Sequence, residues 1–156
     1  MVKKLSLTHK KLKDNLDYLI NLKISRAWKG YGSALLLELG KLHKELAWEK
    51  GGRVETSLTG EFTLSSDGAW KVLRGKKVLV DAESASDFQI KKIITDLQKH
   101  TIVAIKVTNT VLMLRLSNND ILEFHKAAYG YFTLLINEKP QISFENNVPY
   151  VKYMTM

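Results

Sequence analysis

From Ile24 onward the chain is cut into short apolar runs by glycine, serine, asparagine and aspartate, and this punctuation restricts it to a fold built mainly from short antiparallel strands. Lys23 to Trp28 leads through Gly30-Tyr31-Gly32 into Ser33 to Leu39, which predicts a hairpin with a glycine-permitted turn. The second arm is ambiguous: Leu35, Leu39, Leu42 and Leu46 also fall at helical spacing, and Gly51-Gly52 would stop such a helix. Gly40 interrupts it, so residues 33–39 are read as a strand and 41–50 as a loop or a short helix. The glycine- and serine-containing stretch 51–60 reads as a mobile connection. Residues 61–64, 69–73 and 77–81, separated by turns, predict a three-stranded meander. Further strands are expected at 101–107, 111–116, 121–125, 131–136 and 148–154. A three-residue loop, Asn118-Asn119-Asp120, would set Arg115 opposite Glu123 and put Leu112, Leu114 and Leu116 on the face of Leu122 and Phe124.

Two segments change period. Leu12, Leu16, Leu19 and Ile20 share a helical stripe, which predicts an amphipathic helix over 8–22 with Thr8 as N-cap. Ser86-Asp87-Phe88-Gln89 is a capping box ahead of Ile90, Ile93, Ile94 and Leu97, which predicts a helix at about 86–99. The expected class is therefore α+β: an N-terminal helix, a mostly antiparallel sheet of about eight strands, strongly bent or an open barrel, and one further helix. At 156 residues, 45% hydrophobic and 26% charged, the chain reads as one globular domain.

Charge is distributed unevenly. Lys3, Lys4, Lys10, Lys11, Lys13, Lys23, Arg26 and Lys29 stand against only Asp14 and Asp17, so +6 of the net +8 lies in the first thirty residues. A basic helix followed by a hairpin carrying Trp28 and Tyr31 points to an acidic partner. Lys10, Lys11, Lys13, Arg26, Lys29 and Tyr31 are the candidate contacts, with an acidic protein as the leading partner and nucleic acid as the alternative on the same surface. No apolar run is long enough to span a bilayer, and the basic start leads into polar residues rather than a signal-peptide core. A cytoplasmic location is expected. The lack of cysteine removes disulfide, thiol and thiolate-metal chemistry.

Catalytic signatures are missing from the sequence. There is no phosphate-binding glycine loop, no Gly-x-Ser-x-Gly and no metal-ligand spacing among His9, His43, His100 and His125, so a non-enzymatic protein without metal or cofactor is expected. Two carboxylates stand out. Glu123 shares a strand face with His125, although a cross-strand pair with Arg115 would account for it. Glu38 falls on a strand with apolar residues on both faces, which predicts a buried polar site with Arg26 on the adjacent arm as its partner.

The run Gly32 to Leu42, then Gly60-Glu61-Phe62-Thr63-Leu64, Ala69-Trp70 and the block from Leu97 to Phe124, resembles a group of small bacterial proteins similar to immunity or accessory factors encoded near toxin and conflict-system genes. The resemblance spans residues 24–125. It implies a mixed α+β fold, no known catalytic residue, and strand rather than helix for 33–39. Immunity proteins that block nucleases are commonly acidic, whereas this chain is basic, so the surface it would engage is expected to be acidic.

Overall fold

A computed structural model describes residues 2–6, 9–30, 34–50, 53–66, 69–83, 86–126, 132–136, 141–145 and 148–154. In chain order these form β1 (Val2–Ser6), α1 (His9–Leu16), a 3-10 turn (Asp17–Leu19), β2 (Ile24–Lys29), β3 (Leu35–Leu39), β4 (His43–Lys50), β5 (Arg53–Thr59) and β6 (Phe62–Ser66). There follow β7 (Trp70–Arg74), β8 (Lys77–Asp81), α2 (Asp87–Leu97), β9 (Ile102–Val107), β10 (Val111–Leu116), β11 (Ile121–His125), β12 (Thr133–Ile136), β13 (Gln141–Glu145) and β14 (Val148–Met154). The class is α+β with an N-terminal helix and antiparallel pairing, as the punctuation predicted. The strands divide into a seven-stranded sheet, β1-β14-β13-β12-β6-β3-β2, a five-stranded sheet, β8-β7-β11-β10-β9, and a separate β4-β5 ribbon. Among the described residues no sheet closes into a barrel.

Apolar rows running across the strands determine the pairing. In the larger sheet Ala27, Leu37, Leu64 and Leu134 are consecutive cross-strand partners, and all are buried. In the smaller sheet the corresponding row is Val80, Val72, Leu122, Leu114 and Ile105. The expected meander is corrected by the first row: β6 pairs with β3 and β12, not with β7, because only there does Leu64 complete a buried line between Leu37 and Leu134. The β7–β8 hairpin forms as expected.

Residues 43–50 are neither loop nor helix. They pair with β5 from His43–Thr59 to Lys50–Arg53, so the stretch read as a mobile connection supplies the second strand of this ribbon. Helix propensity over 34–50 is overridden because Gly40 takes a left-handed φ of 82°, which ends β3 and turns the chain before β4 begins. The expected helix over 8–22 is shorter. It ends at Leu16, and the 3-10 turn keeps Leu19 above Leu16, since residues three apart eclipse in that geometry; Leu12, Leu16 and Leu19 are all fully buried.

Both helices pack into one core. α1 lies against β9, while α2 lies against β2 and β8 and buries Ile90, Ile94 and Leu97. The α2 capping box is formed: the Gln89 N–H donates to Ser86 Oγ at 3.3 Å and the Ser86 N–H donates to Gln89 Oε1 at 3.0 Å. Replacing Ser86 with Ala is expected to lower unfolding free energy by about 1 kcal/mol in urea titration, with Ser86→Asp retaining most of it.

Candidate functional site

The six candidate contacts are not equivalent in the folded chain. Lys11 and Lys13 are exposed on α1, whose apolar stripe is fully buried. The Lys10 side chain and all of Tyr31 lie outside the described residues. Lys29 reaches across to α2, where its Nζ sits 2.9 Å from Asp87 Oδ1, and this hydrogen bond and charge hold the Asp87 carboxyl below its usual range. Arg26 Nη1 donates to the Leu58 carbonyl at 2.9 Å, and its guanidinium lies over the Trp28 ring at 4.7 Å. The hairpin cations are thus drawn toward α2 and toward the root of the β4–β5 ribbon, whereas the α1 lysines sit on a helix docked on β9. Trp70, with 2% exposure, belongs to the core and makes no part of a surface; Trp28 is half-buried.

Glu38 is buried, as its strand position implied, but its partners differ from the expected one. Arg26 is its cross-strand neighbour, yet Glu38 Oε2 accepts from the Gly60 N–H at 2.9 Å and from the Thr63 hydroxyl at 2.7 Å. A bulge between Ile24 and Arg26 alters the local register, and the guanidinium is held by Leu58 and Trp28. Glu38 and Arg26 therefore both hold the same segment, residues 58–63, at different points along it. Gly60 is required at this point because a Cβ there would lie 2.4 Å from the Leu39 carbonyl oxygen. Nearby, the Lys41 N–H donates to Glu61 Oε2 at 3.1 Å and the Ser25 hydroxyl donates to the Gly40 carbonyl. This polar lock aims the ribbon; it is a structural use of a buried carboxylate. Glu38→Ala, which leaves two donors without their acceptor, is expected to cost about 2 kcal/mol in chemical denaturation, and Glu38→Gln distinctly less.

The smaller sheet places Glu123 and His125 together on its outer face, with the imidazole Nε2 2.8 Å from Glu123 Oε2. The expected Arg115–Glu123 opposition is corrected: Glu123 stands opposite Met113 and beside Lys71, while Arg115 stands opposite Ile121. Strand faces are as predicted, since the register differs by an even number of residues. The turn keeps three residues but starts one position earlier, at Ser117-Asn118-Asn119, because Leu116 N–H bonds to the Asp120 carbonyl and Asn119 adopts a φ of 70°. A shallow cavity of about 250 Å³ beside this pair is lined by Trp70, Lys71, Asp81, Glu83 and His125 among others. Among the described residues no three His, Asp or Glu side chains are grouped to hold a metal ion.

Two features escaped sequence reasoning. Asp120, 5% exposed, accepts two hydrogen bonds from Arg74 at 3.0 Å each and one from Asn118 at 2.9 Å. Both partners lie in turns that the sequence marks, but nothing local pairs the turns. Phe88 is the second: it is 79% exposed and lies off the Ile90–Ile94–Leu97 stripe, a mismatch of helical phase that the sequence does display.

The hydrogen bonds from Arg74, more than the opposing effect of burial, hold the Asp120 carboxyl below its usual value of 3.8. A depressed folded-state value stabilises the protein above the unfolded-state value, and the contribution disappears as pH falls through the folded one. The difference in melting temperature between the wild type and Asp120→Asn is therefore expected to be largest near neutrality and to shrink as pH drops below about 5.

No family model matches the chain, and neither the curated proteins nor the solved structures supply a match. No helix among the described residues is long and apolar enough to cross a membrane.

Proposed function

We propose that this chain is a non-enzymatic binding protein that engages an acidic protein partner through the cations of its N-terminal helix and first hairpin. The observation that carries the reading is the division of α1: Leu12 and Leu16 are fully buried while Lys11 and Lys13 stay exposed, within a segment that holds +6 of the net +8. Such a surface steers encounter with an acidic protein. The two most buried carboxylates among the described residues support a structural rather than catalytic economy, since Glu38 holds the ribbon root and Asp120 holds a turn. The resemblance to immunity and conflict-system factors favours a toxin or a related protein with an acidic face as the partner.

Nucleic acid is the less favoured ligand. Base stacking needs open aromatic faces beside the cations, and neither of the two described tryptophans offers one: Arg26 already lies over Trp28, and Trp70 is in the core.

Binding of labelled poly-glutamate and of random-sequence RNA at physiological salt tests this reading. Lys11→Glu/Lys13→Glu is expected to weaken poly-glutamate binding about five-fold relative to Lys76→Glu/Lys77→Glu, which makes the same change in net charge on the β7–β8 turn. Equal losses from the two pairs would reduce the effect to net charge and remove the site. Tighter retention of RNA would replace the protein partner with nucleic acid.

A further inference from the structure

α2 presents a side chain that folding does not account for. Its buried stripe and capping box are complete without Phe88, yet Phe88 is 79% exposed, more than any other large hydrophobic residue among those described. Residues three and four apart on a helix are surface neighbours, so Lys91 and Lys92, both exposed, flank the ring. Lys29 arrives from β2 at the adjacent Asp87, which links this helix face to the hairpin cations. An aromatic ring among cations is the composition of an interface anchor, where burial of the ring supplies affinity and the charges supply orientation.

We infer that Phe88, flanked by Lys91 and Lys92, is the apolar anchor of a docking face for an acidic protein segment that carries an apolar side chain among its carboxylates. The inference rests on the acidic-partner reading and names the chemistry of the partner. Charge complementarity selects this occupant. A second copy docked about a twofold axis would oppose lysine to lysine in a chain already at +8. An anionic membrane is poorly matched, because the face offers a single ring where a membrane-surface helix inserts a row of bulky apolar side chains.

The test uses two synthetic peptides of equal length and charge, one of glutamate and glycine and one of glutamate and leucine, followed by fluorescence anisotropy, with phosphatidylserine vesicles as a third probe. The wild type is expected to bind the leucine-containing peptide about ten-fold more tightly. Phe88→Ala should abolish that preference while leaving the glycine-containing peptide unaffected, and Phe88→Tyr should keep it. Lys91→Glu/Lys92→Glu should weaken both peptides. The ring's exposure leaves the fold intact, which the melting temperature of Phe88→Ala checks. A preference that survives Phe88→Ala, or its absence in the wild type, overturns the anchor. Tighter, Phe88-dependent binding to vesicles overturns it in favour of a membrane. Binding of neither peptide by the wild type removes the acidic-partner reading and the anchor with it.

Discussion

The two sheets share one core because the chain segments leaving the two helices bond side by side. Asn21 N–H donates to the Ile102 carbonyl at 2.7 Å, Ile102 N–H donates to the Leu22 carbonyl at 3.0 Å, and Ile24 N–H donates to the His100 carbonyl at 2.9 Å, around an antiparallel bridge between Lys23 and Thr101. Segment 21–24 follows α1 and its 3-10 turn; segment 100–102 follows α2. This seam brings the start of β2, in the larger sheet, beside the start of β9, in the smaller one. Asn21 permits it by adopting a φ of 74°, a conformation that asparagine tolerates better than most residues. With the seam in place, the buried faces of α1 and α2 contribute to one hydrophobic cluster together with both apolar rows.

Polar groups in the interior serve that arrangement. Glu38 accepts from Gly60 and Thr63, and Asp120 from Arg74 and Asn118, so each buried carboxylate ties a loop to a strand and satisfies its own need for donors. No buried side-chain nitrogen or oxygen among the described residues lacks a partner. At the surface, Lys11 and Lys13 of α1 stand near the exposed Asp14 and Asp17, and Phe88 stands with Lys91 and Lys92 on α2 near the exposed Asp87 and Asp96. Lys29, bonded to Asp87, joins the hairpin to the second of these faces.

Much of the local structure was legible. The Ser86–Gln89 box, the stripe of Ile90, Ile94 and Leu97, and the alternation of Leu112, Leu114 and Leu116 each encode an element and its inward face over a few residues. The candidate site was legible only in composition. The sequence marks Arg26 and Glu38 as neighbours, but a bulge and the competing acceptor at Leu58 send the guanidinium elsewhere. Likewise Glu123 turns to His125 once the turn, displaced by one residue, shifts Arg115 along the strand. Two-residue differences in register leave faces unchanged and partners altered, which is why apolar patterning survived where ion pairing did not.

By itself the sequence determined which side chains leave water and with what period, because hydrophobic spacing, capping and turn chemistry act within a few residues. It also determined that positive charge gathers near the N-terminus. Only the tertiary structure decided that β6 joins β3 and β12, that 43–59 form a ribbon, and which cations remain at the surface. Backbone donors and acceptors are the same in every strand, so partner choice falls to whichever distant segment completes a buried row, and that selection is made only when the whole core assembles.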